Sequence, residues 1–181
     1  MTEIATTLVL GGARSGKSAF AERLVESSAL DRIYLATATP GDAEMQARIA
    51  HHRLGRGDGW RTVEEPLELT QTLDRESTTG CAVLVDCLTL WLSNIMHAER
   101  DIETEIQHLA QWLSHAQNPV VLVSNEIGLG LVPETPLGRR FRDAQGRLNQ
   151  AVAAAVANVV FVAAGLPLRL KGQSFMENAS P

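Results

Sequence analysis

A chain of 181 residues, 45% hydrophobic and 20% charged, is sized for one domain with a substantial core. Its formal charge of −5 argues against a general nucleic-acid or anionic-membrane binder, because either needs a basic face. Two cysteines, Cys81 and Cys87, make no disulfide framework and match no metal spacing. With no charged-then-apolar leader and no apolar run of membrane-spanning length, a reducing, cytoplasmic setting is expected.

The first apolar run, residues 6–10, predicts a buried strand, and Gly11-Gly12-Ala13-Arg14-Ser15-Gly16-Lys17-Ser18 follows it. This is the pattern G-x-x-x-x-G-K-S between a strand and a helix, which cradles phosphates. Gly11 and Gly16 are expected to take backbone angles that a Cβ resists, so that successive N–H groups converge on one anion. A helix opening at Lys17 aims its unsatisfied N–H groups at the same point. Lys17 can reach the outer phosphates, and the Ser18 hydroxyl can hold Mg²⁺. Phe20 and Leu24 continue that helix at a spacing of four.

The second run, residues 33–37, leads into Ala38-Thr39-Pro40-Gly41-Asp42 and then a segment of helical spacing that carries His51 and His52. Met45, Ile49 and His52 share one face, with His51 turned away. Adjacent histidines on a helix do not converge on a metal. One of them could simply pack at a helix end, where a cation suits the dipole. Yet Arg48, Arg53, Arg56 and Arg61 crowd the pair in an otherwise acidic chain. Guanidinium forks suit phosphate oxygens, and they hold a nearby imidazole neutral and nucleophilic toward phosphorus.

The third run, residues 82–86, ends in Asp86, an acid after a hydrophobic strand, as in Mg²⁺-orienting sites of phosphate-loop enzymes. Asp86 could instead cap the helix that starts near Leu88. Ile102, Ile106, Leu109 and Leu113 form one helical stripe, and Leu148, Val152 and Val156 another. Between them the run at residues 120–124 leads into Asn125-Glu126-Ile127-Gly128, a polar loop placed for substrate, in which Glu126 is one candidate base and Asp143 further on is another. The last run, residues 159–163, precedes a turn at 165–167 and a short edge strand to Leu170. Strands alternating with helices predict an α/β fold with a mostly parallel sheet, one domain over residues 1–172, and a polar tail at 173–181.

These blocks together resemble the bifunctional adenosylcobinamide kinase / adenosylcobinamide-phosphate guanylyltransferase family of cobalamin biosynthesis. The likeness is carried by residues 11–18, Tyr34-Leu35-Ala36-Thr37-Ala38, Arg48-Ile49-Ala50-His51-His52-Arg53, Trp60-Arg61-Thr62-Val63-Glu64, residues 86–94, residues 124–133 and residues 138–150. The resemblance implies phosphorylation of adenosylcobinamide by ATP or GTP, then transfer of GMP from GTP to the product through a guanylylated His52. It places nucleotide contacts at Gly11, Gly12, Ala13, Arg14, Ser15, Gly16, Lys17, Ser18, Ala36, Thr37, Ala38, Arg53, Leu54, Gly55, Arg56, Glu64 and Asp86. It implies Mg²⁺ on Ser18 and Asp86, a recombinase-like phosphate-loop fold, a homotrimer, and adenosylcobinamide and its phosphate as partners. A phosphate-loop kinase of another small molecule, with structural histidines, uses the same motifs, as does a motor-type NTPase.

Overall fold

Every apolar run becomes a strand of one seven-stranded sheet in the computed structural model, which describes residues 4–39 and 57–172. The strands are β1 (Thr7–Gly11), β2 (Asp31–Ala36), β3 (Trp60–Glu64), β4 (Cys81–Asp86), β5 (Val120–Asn125), β6 (Asn158–Ala163) and β7 (Leu166–Lys171). The helices among the described residues are α1 (Lys17–Glu26), α2 (Leu69–Glu76), α3 (Leu88–His97), α4 (Ile102–His115) and α5 (Pro136–Ala155). The order across the sheet is β3-β2-β4-β5-β1-β6-β7, and all neighbours are parallel except the β6–β7 pair. The expected α/β class is what the chain adopts.

β3 is a strand that apolar patterning does not announce. Its residues are half-buried or exposed, as suits an edge, and among the described residues only β2 pairs with it. At the other edge the turn sits one residue earlier than expected. Ala164 and Gly165 both take positive φ (51° and 80°), the geometry of a two-residue hairpin turn, and Pro167 lies within β7 opposite Val162. A proline is tolerated there because an edge strand does not need every N–H.

Period-2 alternation along the buried strands divides the core in two. Leu8, Leu10, Val83, Val85, Val120 and Leu122 face α2–α5, with Trp91, Leu92, Leu109 and Leu148 as bulky contributors. Val9, Tyr34, Leu84, Val121, Val123 and Val160 face α1 through Ala21, Leu24 and Val25. Strands buried on both faces read as continuous apolar runs, which is why these five were visible in the sequence.

Candidate active site at the carboxyl edge

The phosphate loop leaves β1 at Gly11 and enters α1 at Lys17. Gly16 caps the helix with φ 93°, the left-handed region that favours glycine. The expectation that Gly11 also needs an unusual angle is corrected: its φ is ordinary, and what excludes a side chain is space. A Cβ there would lie 2.5 Å from both Ser15 Oγ and the Val162 carbonyl oxygen. The second positive φ of the loop belongs to Arg14 (56°). The turn closes through Ser15 N–H to the Gly12 carbonyl (3.3 Å), and the hairpin turn braces it through Gly165 N–H to the Ser15 carbonyl (2.8 Å).

The N-terminus of α1 has no side-chain cap and no acid in its first turn, so neither offsets its dipole. Lys17 folds back over the loop, its Nζ donating to the Gly12 carbonyl at 3.0 Å. Ser18 follows it on the first turn, half-buried. Ala13 and Arg14 are exposed at the loop's tip. A Gly-bearing turn into an uncapped helix start, with one ammonium beside it, is suited to an anion.

Asp86 ends β4, and alternation after Leu84 turns its carboxylate toward the α1 face. Tyr34 Oη donates to Asp86 Oδ2 at 3.1 Å. The helix-cap alternative is not realised: Cys87 is the N-cap residue of α3, and no side-chain bond caps that helix. Thr37, fully buried, ties β2 to this point. Its hydroxyl donates to the Cys87 carbonyl (2.8 Å) and accepts from the Cys87 N–H (2.9 Å), and its own N–H donates to the Asp86 carbonyl (3.3 Å). Asn94 of α3 completes the junction by donating to the Thr37 carbonyl (2.8 Å). The Cys87 thiol is pushed up to about 12 by burial first and by the Asp86 charge second, with Lys17 opposing.

Three further predicted positions, Ala36, Ala38 and Glu64, lie along the same edge. Ala36 is flanked in register by Glu64 on β3 and Asp86 on β4, and Ala38 lies just beyond. Glu64 is four strand steps from β1, roughly 19 Å at about 4.8 Å per step, so the loop and Glu64 bracket a length greater than a triphosphate alone. His52, Arg53, Leu54, Gly55 and Arg56, together with Arg48, lie outside the described residues. Of the two candidate bases, Glu126 turns its carboxylate onto its own loop at the Gly128 N–H, and Asp143 pairs with Arg142 at 3.6 Å in an exposed position. No group of three or more His, Cys, Asp or Glu among the described residues could hold a metal alone. No described helix is long and apolar enough to cross a membrane.

Sequence reasoning missed the residues that frame this site from behind. Thr89 Oγ1 accepts the Asn125 N–H (2.9 Å), and Asn149 Nδ2 donates to the Asn125 carbonyl (3.0 Å). Ser124, Gln145 and Asn149 bond to one another in the core at 2.7–3.0 Å. Helical spacing of Gln145 and Asn149, four apart among apolar positions, was the available signal.

A glycine-bearing strand-to-helix turn, an uncapped helix start with its lysine, and an acid two strands away define the class: a phosphate-loop α/β protein that binds nucleotide phosphates. Solved structures agree on the fold. A Pyrococcus horikoshii OT3 protein described as a structural study of Project ID PH0250 matches with TM-score 0.56 at 10% identity, covering 96% of this chain and 90% of that one. The flagellar accessory protein FlaH from Methanocaldococcus jannaschii matches with TM-score 0.52 at 11% identity, covering 93% and 79%.

Sequence comparison carries more. The family model described as "Cobinamide kinase / cobinamide phosphate guanyltransferase" matches residues 7–170. The Pseudomonas aeruginosa "Bifunctional adenosylcobalamin biosynthesis protein CobP" is 49% identical over 168 residues, spanning 92% of this chain and 97% of the relative. The Escherichia coli K12 "Bifunctional adenosylcobalamin biosynthesis protein CobU" is 40% identical over 179 residues, spanning 91% and 98%. The chain belongs to the cobinamide kinase / cobinamide phosphate guanyltransferase family, and it is a transferase of phosphorus-containing groups.

Proposed function

We propose that one triphosphate cradle serves two successive transfers on a corrinoid. In the first, the aminopropanol hydroxyl of adenosylcobinamide attacks the γ-phosphorus of ATP or GTP, and the nucleoside diphosphate leaves. In the second, the His52 imidazole attacks the α-phosphorus of GTP. A P–N bond forms, the bond to the β-phosphate oxygen breaks, and pyrophosphate leaves. A phosphate oxygen of adenosylcobinamide phosphate then attacks the same phosphorus, the P–N bond breaks, and adenosylcobinamide-GDP is released. The observation that carries this reading is the family match over residues 7–170 on a chain whose phosphate loop and Asp86 share one face of the sheet.

The residues present fit a bound Mg²⁺. Ser18 is the second residue of α1 and Asp86 ends β4 on that same face, one hydroxyl and one carboxylate, the sparse protein set that this ion takes when phosphates supply the rest. Bound there, the ion would neutralise charge on the bridging and leaving phosphate oxygens. Lys17 adds a fixed positive charge at the outer phosphates, and the α1 N–H groups hold the chain of phosphates in place. Residues Arg53, Leu54, Gly55 and Arg56 belong to the histidine side of the site in this proposal, with Ala36, Thr37, Ala38 and Glu64 along the nucleoside. We place the enzyme in the cytoplasm as a homotrimer.

The test is incubation with GTP labelled at the α-phosphate. Acid-labile, alkali-stable label on the protein, absent from His52→Ala, is expected. A chain that phosphorylates cobinamide but never takes up this label overturns the histidine step.

A further inference from the structure

β5 lies between the phosphate-loop strand and the acid strand, and its last residue has no part in the reaction as written. Alternation fixes where that residue points. Val120 and Leu122 face α2–α5, and the next residue in that row, Ser124, meets α5 there through Asn149 and Gln145. Val121 and Val123 face α1, so Asn125 turns toward α1 as well. It pairs in register with Gly11, and it stands two residues beyond Val123, the partner of Asp86. Its carboxamide has no hydrogen-bond partner among the described residues and is partly exposed.

Its main chain, by contrast, is held on every side. The N–H goes to Thr89 and the carbonyl to Asn149, and the next N–H, that of Glu126, donates to the Gly11 carbonyl at 3.0 Å. Behind it, Ser124 and Gln145 are fully buried and Asn149 nearly so. A buried polar cluster is unfavourable relative to apolar packing unless every group is paired, and Gln145 Oε1 has no partner. Packing alone does not explain such a cluster; fixing the Asn125 peptide does.

We propose that Asn125 is a nucleotide-binding residue: its carboxamide donates to a phosphate oxygen of the bound triphosphate, between Lys17 and Asp86, while Asn149, Gln145 and Thr89 position it. The inference rests on the triphosphate reading of the site, not on the histidine step. A neutral amide suits this place, since it can donate to an anion without competing with the lysine for charge.

The experiment measures binding of a non-hydrolysable GTP analogue to the full chain by calorimetry, beside thermal melting without nucleotide. Asn125→Ala is expected to weaken binding about tenfold to a hundredfold, the loss of one hydrogen bond to a charged group, while melting stays at the wild-type temperature. Asn125→Asp, isosteric but anionic, is expected to bind more weakly still. Asn149→Ala is expected to weaken binding in the wild-type background and to add little in the Asn125→Ala background, the non-additivity that a purely structural role would not give. Asn125→Ala with wild-type affinity overturns the proposal, as does an Asn149 effect that is fully additive. Because the readout is binding, missing α-label on the wild-type protein counts against the histidine step alone.

Discussion

Gly11 and Gly12 are neighbours in one motif, yet they should respond oppositely to the same methyl group. At Gly11 the added Cβ falls 2.5 Å from Ser15 Oγ and 2.5 Å from the Val162 carbonyl oxygen. A serine hydroxyl can rotate away, but the carbonyl belongs to β6, which is paired with β1 through residues 7–11. Either the loop lifts or the two strands part. Overpacking of this kind costs about 1–3 kcal/mol. For a chain of 181 residues each kcal/mol lowers the melting temperature by about 2–4 °C. At Gly12 the same Cβ meets nothing within 4 Å, and the backbone angle is ordinary. Melting followed by circular dichroism, with and without a nucleotide analogue, therefore separates them. Gly11→Ala should melt several degrees lower and bind nucleotide more weakly, because the displaced loop carries the N–H groups. Gly12→Ala should melt like wild type. Equal melting of the two variants would refute the steric account of Gly11.

Thr37→Val keeps the shape of the side chain but leaves the buried Cys87 N–H without its acceptor, which costs about 1–3 kcal/mol and should lower the midpoint of chemical denaturation; an unchanged midpoint would contradict the assigned bond. Cys87, buried with its thiol pushed up to about 12, should resist alkylation in the native protein while the half-buried Cys81 reacts, read by mass spectrometry before and after denaturation. Glu76 is held below its ordinary value of 4.5, chiefly by the hydrogen bond from Arg61, so its contribution to stability is present above that value and lost as pH falls through the lowered one. Glu76→Gln should remove part of the acid-side decline in denaturation midpoint measured from about pH 6 to about pH 3, and a variant with the full wild-type slope would show the contribution to be negligible. Lys17→Ala should depress both kinase and guanylyl transfer, whereas His52→Ala should abolish only the second; parallel loss of both in His52→Ala would break the proposed division of labour.

What the sequence displayed was whatever depends on neighbours in the chain. The phosphate loop needs a strand, two glycines, a lysine and a helix start within a dozen residues, and all of them can be read in order. Asp86 was visible as an acid after an apolar strand, but its rival role as a helix cap was settled only by Cys87 occupying that position. β3 was hidden because an edge strand buries little, leaving Trp60-Arg61-Thr62-Val63-Glu64 without an apolar run. Gly11 was legible as a required glycine and misread in its reason, since the atoms that exclude a Cβ include a carbonyl on β6, 151 residues away along the chain. The Asn125 support was hidden for the same reason. Asn149 and Thr89 reach it from 24 and 36 residues away, and no local pattern encodes that meeting.

The same distinction explains how one small sheet supports two reactions. A main-chain cradle recognises phosphates without regard to which phosphorus will be attacked, because its donors and the α1 dipole act on the whole chain of oxygens. In the proposed site Lys17, with Asp86 acting through a bound Mg²⁺, would serve a departing diphosphate or a departing pyrophosphate alike, since in both cases negative charge collects on the leaving oxygens. On the proposed mechanism the choice of phosphorus depends on which nucleophile reaches the cradle and along which line, a hydroxyl opposite the γ-leaving oxygen or an imidazole opposite the α-leaving oxygen. In the proposed arrangement the nucleotide is held from the ends of β1, β4 and β5. In the proposed mechanism the nucleophiles are supplied separately, by the corrinoid and by His52. On that mechanism bifunctionality needs no second nucleotide site.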